Sequence, residues 1–509
     1  MAFIMIKTLR VASRDRKRLE EILSVVSRYG LGVILQRIGL ERPDNADSDH
    51  GQSQGMPRRT RLALEELGPT FVKLGQILAT RGDLLPPEWI EEFEQLHSQA
   101  PTLPFEELRP LVVDALGQDP ENAFSNFDVT PLAAASMAQV HRATLQDGRA
   151  VVLKIRRPGI RPKVEADLRL LAHVAALAEG SSVEARRFGP SRMMRELADA
   201  MLEELDFTTE ARNSDQFRTD FENQPRVVVP AIHWEWTSEA LLVMDYVAGV
   251  PPRDRQALLS AGIDPAKITS LGADMLLDMV LVNGRFHGDP HPGNLLCLLG
   301  DRIALLDLGM VGYVSPRRRE EFISFVQALS TGSPAQLADV LTLWSAGSYV
   351  PAERVLSASE RLIVRHGSGR LVLSAMVADF LTLMRDERMT LPADLLLIFK
   401  ALVTMDGVLS RIEPDFDLTQ AMRRSLLRIA RTRLSPEHWA PVLQAVAWEL
   451  VKIGDDAPRL IRAAIHRLEN QSSQVSRPSV PNASPSEAYW TAGAILAGAT
   501  IISVALWFR

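Results

Sequence analysis

One lysine stands inside an apolar, strand-like run, "AVVLKI", Ala150 to Ile155. Few features constrain a fold more. An ammonium group in such a strand is costly unless opposite charge meets it. The chain must therefore bring at least one carboxylate to Lys154 from elsewhere. Candidates stand in "EELDFTTEA", as Glu204, Asp206 and Glu210. Glu204 and Glu210 are six positions apart, so they do not share a helical face and cannot replace each other.

A second cluster lies in "RFHGDPHPGNLLCLLGDRIALLDLGM", Arg285 to Met310. Two acids and an amide on loops between short apolar strands suit an oxygen-loving divalent cation such as Mg²⁺. Asp289 and Asn294 have the D-x-x-x-x-N spacing of a kinase catalytic loop, with Asp as base and Asn on Mg²⁺. "LLDLG" sets Asp307 at the end of an apolar strand, where kinases carry the Asp of D-F-G. The competing reading is ordinary capping at turns, and Lys154 weighs against it, because kinases grip the α/β-phosphates with such a strand lysine. Just before it, "LAAASMAQVH" has alanines where a kinase loop has glycines. Backbone N–H groups there can still meet phosphate. Alanine resists positive φ and keeps its Cβ, however, so an altered nucleotide position or preference is expected. Pro290 between His287 and His291 breaks the helix that a metal-binding i, i+4 pair would need, and both read as structural. Cys297 reads as a packed small apolar residue.

With 509 residues, two or three domains are expected. A net charge of −6 gives no reason to expect nucleic acid. The single cysteine excludes an internal disulfide. There are eight lysines against 49 arginines. "MAFIMIKTLR" is too short an apolar run for a secretory signal. Ala488 to Phe508, "AYWTAGAILAGATIISVALWF", has 21 residues without charge, enough to span a bilayer, with aromatic residues at both ends. The polar linker before it separates it from any core, against the alternative of a buried terminal helix. Arginines upstream place the main domain in the cytoplasm. Gly493–Ala497 and Ala494–Gly498 have small-xxx-small spacing, which permits a homodimer. "SPRRREEF" opens a helix with a solvated arginine face, anionic lipid being the lesser option.

The expected fold class is α+β. Residues 1–126 form a helical N-terminal extension, 127–250 a small mixed lobe and 251–470 a helical large lobe. A linker over 471–487 and a transmembrane helix over 488–508 follow. "RVVVPAIHWEWTSEALLVMDYVAG" is strand-like, and "QDG" reads as a hairpin turn.

"LGPTFVKLGQILATRGDLLP" contains K-x-G-Q, with Lys73 and Gln76 on one helical face. Together with "AAASMAQVH", "ELD" and "HGDPHPGN", the chain resembles the UbiB (AarF/ADCK) family of atypical protein-kinase-like proteins of ubiquinone biosynthesis. The resemblance implies a bilobal kinase-like fold in which the K-x-G-Q helix covers the groove where a kinase receives peptide. It implies ATP or ADP and Mg²⁺ as cofactors. Ala133, Ala134, Ala135 and Ser136 would form the nucleotide loop and Lys154 the phosphate-binding lysine, with Glu210 its partner. "VMDYV", with Asp245 and Val247, would meet adenine. Asp289 would be the catalytic Asp, and Asn294 and Asp307 the metal ligands. Lys73, Gln76, Glu204 and Asp206 would be regulatory, with Lys73 near Glu204 or Asp206. H-G-D in place of H-R-D, and the absence of A-P-E, make control by activation-loop phosphorylation doubtful.

Two functions follow from that resemblance. One is a membrane-anchored ATPase or atypical small-molecule kinase, with protein kinase activity disfavoured by the cover. The other is a nucleotide-gated scaffold or lipid-extracting accessory protein for quinone-modifying enzymes. The expected partners are nucleotide, a membrane lipid or quinone intermediate, and quinone-biosynthesis enzymes. The expected location is the bacterial inner membrane.

Overall fold

A computed structural model describes residues 15–31, 55–79, 85–96, 101–181, 189–345, 350–366, 373–387, 389, 392–416 and 418–433, with 444 and 448. The chain divides into two compact units, 1–429 and 430–509. All the candidate site residues lie in the first.

The small lobe is built on a four-stranded antiparallel sheet, in the order β1 (Asn126–Ala134), β2 (Ala138–Thr144), β3 (Ala150–Arg156) and β5 (Leu241–Asp245). The β2–β3 turn uses Gly148 at φ +88°, a backbone state glycine adopts without penalty. Period-two alternation then sorts β3. Val151, Leu153 and Ile155 face a core shared with Phe105, Leu108 and Val112 of helix α5 (Phe105–Leu116). Lys154 therefore faces the other way, with α9 (Phe207–Asp220) beside it. Phe207 and Ala211 of α9 pack with Ala138 and Leu242 on that side. The expected boundary at Phe127 thus divides one core, because α5 and the one-turn α6 (Pro120–Ala123) precede it yet back the sheet.

The rest of the extension comprises α1 (Arg16–Arg28), α2 (Met56–Leu67), α3 (Pro69–Ala79) and α4 (Pro87–Phe93). They lean on α7 (Ile160–Ser181) and α8 (Pro190–Glu204). Arg18 reaches Asp167 on α7 at 2.6 and 3.1 Å and also donates to the Leu67 carbonyl at 2.6 Å. Those bonds satisfy much of a buried fork of donors, without which burying the pair would be costly. The strand-like segment after Arg226 holds two separate strands. It yields β4 (Val227–Val228), a 3₁₀ turn at Trp234–Trp236, and only then β5. Pro230 offers no N–H for a ladder, and the Thr237 hydroxyl donates to the His233 carbonyl across the turn.

The large lobe opens with α10 (Arg255–Ser260) and α11 (Pro265–Asp278) and continues through a π turn, Met279–Asn283. Short strands follow: β6 (Arg285–His287), β7 (Leu295–Leu298), β8 (Arg302–Leu305) and β9 (Val311–Tyr313). β6 pairs with β9, β7 with β8, and β4 joins β8 in parallel. Helices α12 (Pro316–Thr331), α13 (Pro334–Trp344), α14 (Ala352–His366), α15 (Leu373–Asp386), α16 (Ala393–Ile412) and α17 (Leu418–Arg433) complete it. Phe322, Phe325, Trp344, Phe380 and Phe399 stack in its core. The arginines of α12 are not simply solvated: Arg317 and Arg318 pair with Glu321, and Arg318 also with Asp394. The result is a kinase-like α+β fold with a helical extension. Among the described residues no helix is long and apolar enough to cross a membrane. The segment expected to do so, 488–508, lies outside them.

Candidate active site

Lys154 meets two carboxylates from different elements. Its Nζ donates to Glu210 Oε1 and Oε2 at 3.0 and 2.8 Å, and to Asp307 Oδ2 at 3.0 Å. Burial opposes its charge, but Asp307 and Glu210 outweigh it and raise its pKa. One cation faces two acids, so one negative charge is in excess. The excess falls on Glu210, whose pKa burial raises to about 7 against the pull of Lys154. Desolvation would raise Asp307, although half of its side chain is exposed, and Lys154 and the Gly309 N–H bring it down to about 2.

Asp307 stands at φ +48°, a left-handed conformation rare outside glycine and often stored at functional sites. Gly309 makes room for it: a Cβ there would lie 3.1 Å from Asp307 Oδ1. The β7–β8 register sets Leu295 opposite Leu305, and the Leu306 N–H donates to the Asn294 carbonyl at 2.8 Å. Asn294 and Asp307 therefore flank the mouth of one hairpin. Asn294 Nδ2 donates to the Asp289 carbonyl at 3.2 Å, which leaves Oδ1 without a partner among the described residues. An amide oxygen, a carboxylate and a surplus negative charge fit Mg²⁺, which takes one or two protein oxygens and completes its shell with phosphate and water.

Asp289 lies between β6 and β7. Its N–H donates to His287 Nδ1 at 3.3 Å, and its carbonyl accepts from His291 N at 2.9 Å. His287 is buried, which lowers its pKa to about 4 and keeps it neutral at pH 7. His291 Nδ1 accepts from the Gly293 N–H at 2.9 Å. Both histidines brace the loop. Gly288 replaces the usual arginine because Met310 covers it: a Cβ would meet Met310 Cγ at 2.7 Å. Cys297 is buried among apolar groups, and its thiol is pushed up to about 12.

The alanine loop is a tight hairpin. Ala133 and Ala134 end β1, and the Ala135 N–H donates to the Ala138 carbonyl at 2.8 Å across Ser136 and Met137. None of these residues has positive φ, so alanine carries no strain here. The Ala135 N–H is already spent inside the turn. Met137 is buried beneath Leu197 and Met201 of α8, against Leu74, Ile77 and Leu78 of α3. The Asp245 carboxylate is engaged as well, accepting from His233 Nε2 at 2.8 Å, while its N–H goes to the Ala231 carbonyl. Val247 keeps a free N–H among the described residues.

The four residues grouped as regulatory separate. Lys73 on α3 donates to Glu204 Oε2 at 3.1 Å. Burial opposes its charge, but Glu204 first, then Asp289 and Asp307, raise its pKa. Asp206 takes no part: it caps α9, accepting from Thr208 N at 2.9 Å and Oγ1 at 2.7 Å. Gln76 Nε2 donates to the Leu96 carbonyl at 3.3 Å and ties α3 to the end of the α4 segment.

Sequence reasoning missed the fastening of α9. Asn213 donates to the Leu308 carbonyl at 2.9 Å, Tyr313 to Gln216 at 3.3 Å, and Arg285 to Asp220 at 3.0 Å. Spacings of three and four along the helix would have shown one polar face. It also missed Lys400 on α16, whose Nζ lies 3.5 Å from Asp289 Oδ1; no sequence spacing announces that contact.

Residues 95–341 match the model of the ABC1 atypical kinase-like domain, and residues 369–417 that of the UbiB helical domain. A Xylella fastidiosa protein named "Probable protein kinase UbiB" is 32% identical over 458 residues, covering 86% of this chain and 82% of its own. A protein of the same name from Marinobacter nauticus is 32% identical over 423 residues, covering 81% and 77%. A solved structure, a complex of Rv3197 with erythromycin from Mycobacterium tuberculosis, is 24% identical with a TM-score of 0.49, covering 69% of this chain and 90% of that one.

Proposed function

The chain belongs to the UbiB family of atypical kinase-like proteins, and from that premise we propose that it is a Mg²⁺-dependent ATPase or small-molecule kinase that supports ubiquinone biosynthesis. The observation that carries this reading is Lys154 held between Glu210 and Asp307. A phosphoryl group needs a fixed cation on the protein and a carboxylate positioned for a metal, and this cluster offers both. Asn294 Oδ1 and Asp307 would hold Mg²⁺, which supplies charge neutralisation on the phosphates. Lys154 binds the α/β-phosphates. Asp289 accepts the proton of the attacking water or alcohol as its oxygen bonds to the γ-phosphorus. The bond to the β-phosphate oxygen breaks, and ADP leaves. Val247 would offer its N–H to adenine.

Membrane anchoring belongs to the same proposal and rests on the uncharged run Ala488–Phe508. It would hold the catalytic lobes at the cytoplasmic face of a bacterial inner membrane, within reach of a quinone intermediate. The reading is tested by phosphate release from purified full-length protein in liposomes with ATP and Mg²⁺, with and without a quinone-like lipid. No release above that of Asp289→Asn overturns it. The Lys73–Glu204 contact favours a second reading, a nucleotide-gated scaffold. In that case nucleotide binding persists and rescue of quinone synthesis in cells does not need Asp289.

A further inference from the structure

We propose that Lys400 is a positioning residue for Asp289, contributed to the active site by the C-terminal helical domain. The inference rests on the reading of Asp289 as the proton acceptor. The backbone of Asp289 is fixed by His287, His291 and Asn294. Those bonds leave the carboxylate free to rotate, and among the described residues the ammonium of Lys400 is the group that meets it, at 3.5 Å from Oδ1.

Fold stability does not account for this pair. The two side chains are 38% and 39% exposed, and pairs that open to water contribute roughly 0–1 kcal/mol. Nor is Lys400 part of a pattern along its helix. Its neighbours one turn away, Leu396, Leu397, Val403 and Thr404, offer no carboxylate. Its place is nevertheless fixed, because Phe399, Ala401 and Leu402 on α16 are buried in the large-lobe core. Composition sharpens the point. The chain has eight lysines against 49 arginines, yet three of the eight, Lys73, Lys154 and Lys400, converge on this site. A compact ammonium suits a small carboxylate target that must still receive a proton. Lys400 lies within residues 369–417, so the helical domain supplies part of the site rather than only supporting it.

The test is ATP hydrolysis by full-length Lys400→Met and Lys400→Arg. In Lys400→Met, kcat should fall about 10- to 100-fold, the scale of a misplaced catalytic group, while KM for ATP stays within about two-fold. Lys400→Arg should recover most of the loss by restoring the cation. Unchanged kcat in Lys400→Met overturns the proposal. So does a rise in KM alone, which would make Lys400 a nucleotide ligand, and so does an equal loss in both variants, which would make it a packing residue. If the wild type binds ATP but never hydrolyses it, the functional reading has failed by itself. Crystal structures with Mg²⁺ and a non-hydrolysable ATP analogue then decide: an Asp289 carboxylate that keeps its orientation in Lys400→Met overturns the role of Lys400.

Discussion

Two lysine pairs of the site differ in how they are held. Lys154 has two carboxylates, Asp307 at 48% exposure and Glu210 at 6%, the latter on a helix fastened to the large lobe. Lys73 has one carboxylate, and that partner, Glu204, is 38% exposed. Breaking the first strands buried charge, which typically costs 3–5 kcal/mol. Breaking the second lets Glu204 turn to water, for roughly 0–1 kcal/mol. The inner pair is the costlier of the two to break and the outer pair the easier to open.

The largest expected effect comes from breaking the inner pair. Lys154→Ala and Asp307→Asn should each abolish Mg-nucleotide binding, read as loss of the ATP-induced thermal shift; a wild-type shift in either removes the kinase-like assignment. Asp289→Asn should retain that shift and lose turnover by about 10²- to 10⁴-fold, read as phosphate release. Lys73→Ala should leave nucleotide affinity within a few-fold and change melting by no more than a few degrees. The protein should nevertheless begin to label itself from radioactive ATP as α3 loosens. Absence of self-labelling together with full rescue of quinone synthesis would make α3 ordinary surface.

The smallest effect is in pH. The pKa of Glu210 rises from 4.5 to about 7 in the folded protein. The folded state therefore holds a proton there that the unfolded state releases. Its contribution is complete below about 4.5 and is lost as pH rises through 7. Thermal unfolding at fixed salt should show wild type losing stability relative to Glu210→Gln across that window. Parallel curves would mean that Glu210 stays ionised throughout.

The inner pair was legible in the sequence because chemistry on a strand is costly to explain otherwise: an unpaired Lys154 had to find acids, and the spacing of Asp289, Asn294 and Asp307 named a place for them. The K-x-G-Q helix was legible through resemblance, but its division of labour was not. Asp206 precedes a helix as caps do, and that local role won over pairing with Lys73. Asp245 likewise serves His233, a neighbour across the 3₁₀ turn that the strand reading had erased. The core beneath the sheet crosses the expected boundary at Phe127, because helical α5 precedes the strands it backs. Lys400 was illegible for a different reason. It is far from Asp289 in sequence and sits in an apolar helix, so only the packing of α16 brings it there.

The fastening of α9 bears on how the molecule moves. Asn213, Gln216 and Asp220 tie that helix to the segment after Asp307 and to the β6–β9 ribbon. The helix is thereby stitched to the lower jaw while Phe207 and Ala211 pack it against the upper one. When nucleotide enters or leaves, any tilt of the sheet works against that double attachment. The distance from Lys154 to Glu210 then becomes a gauge of jaw angle, one that a pair of spectroscopic labels on β3 and α9 could read while the protein works.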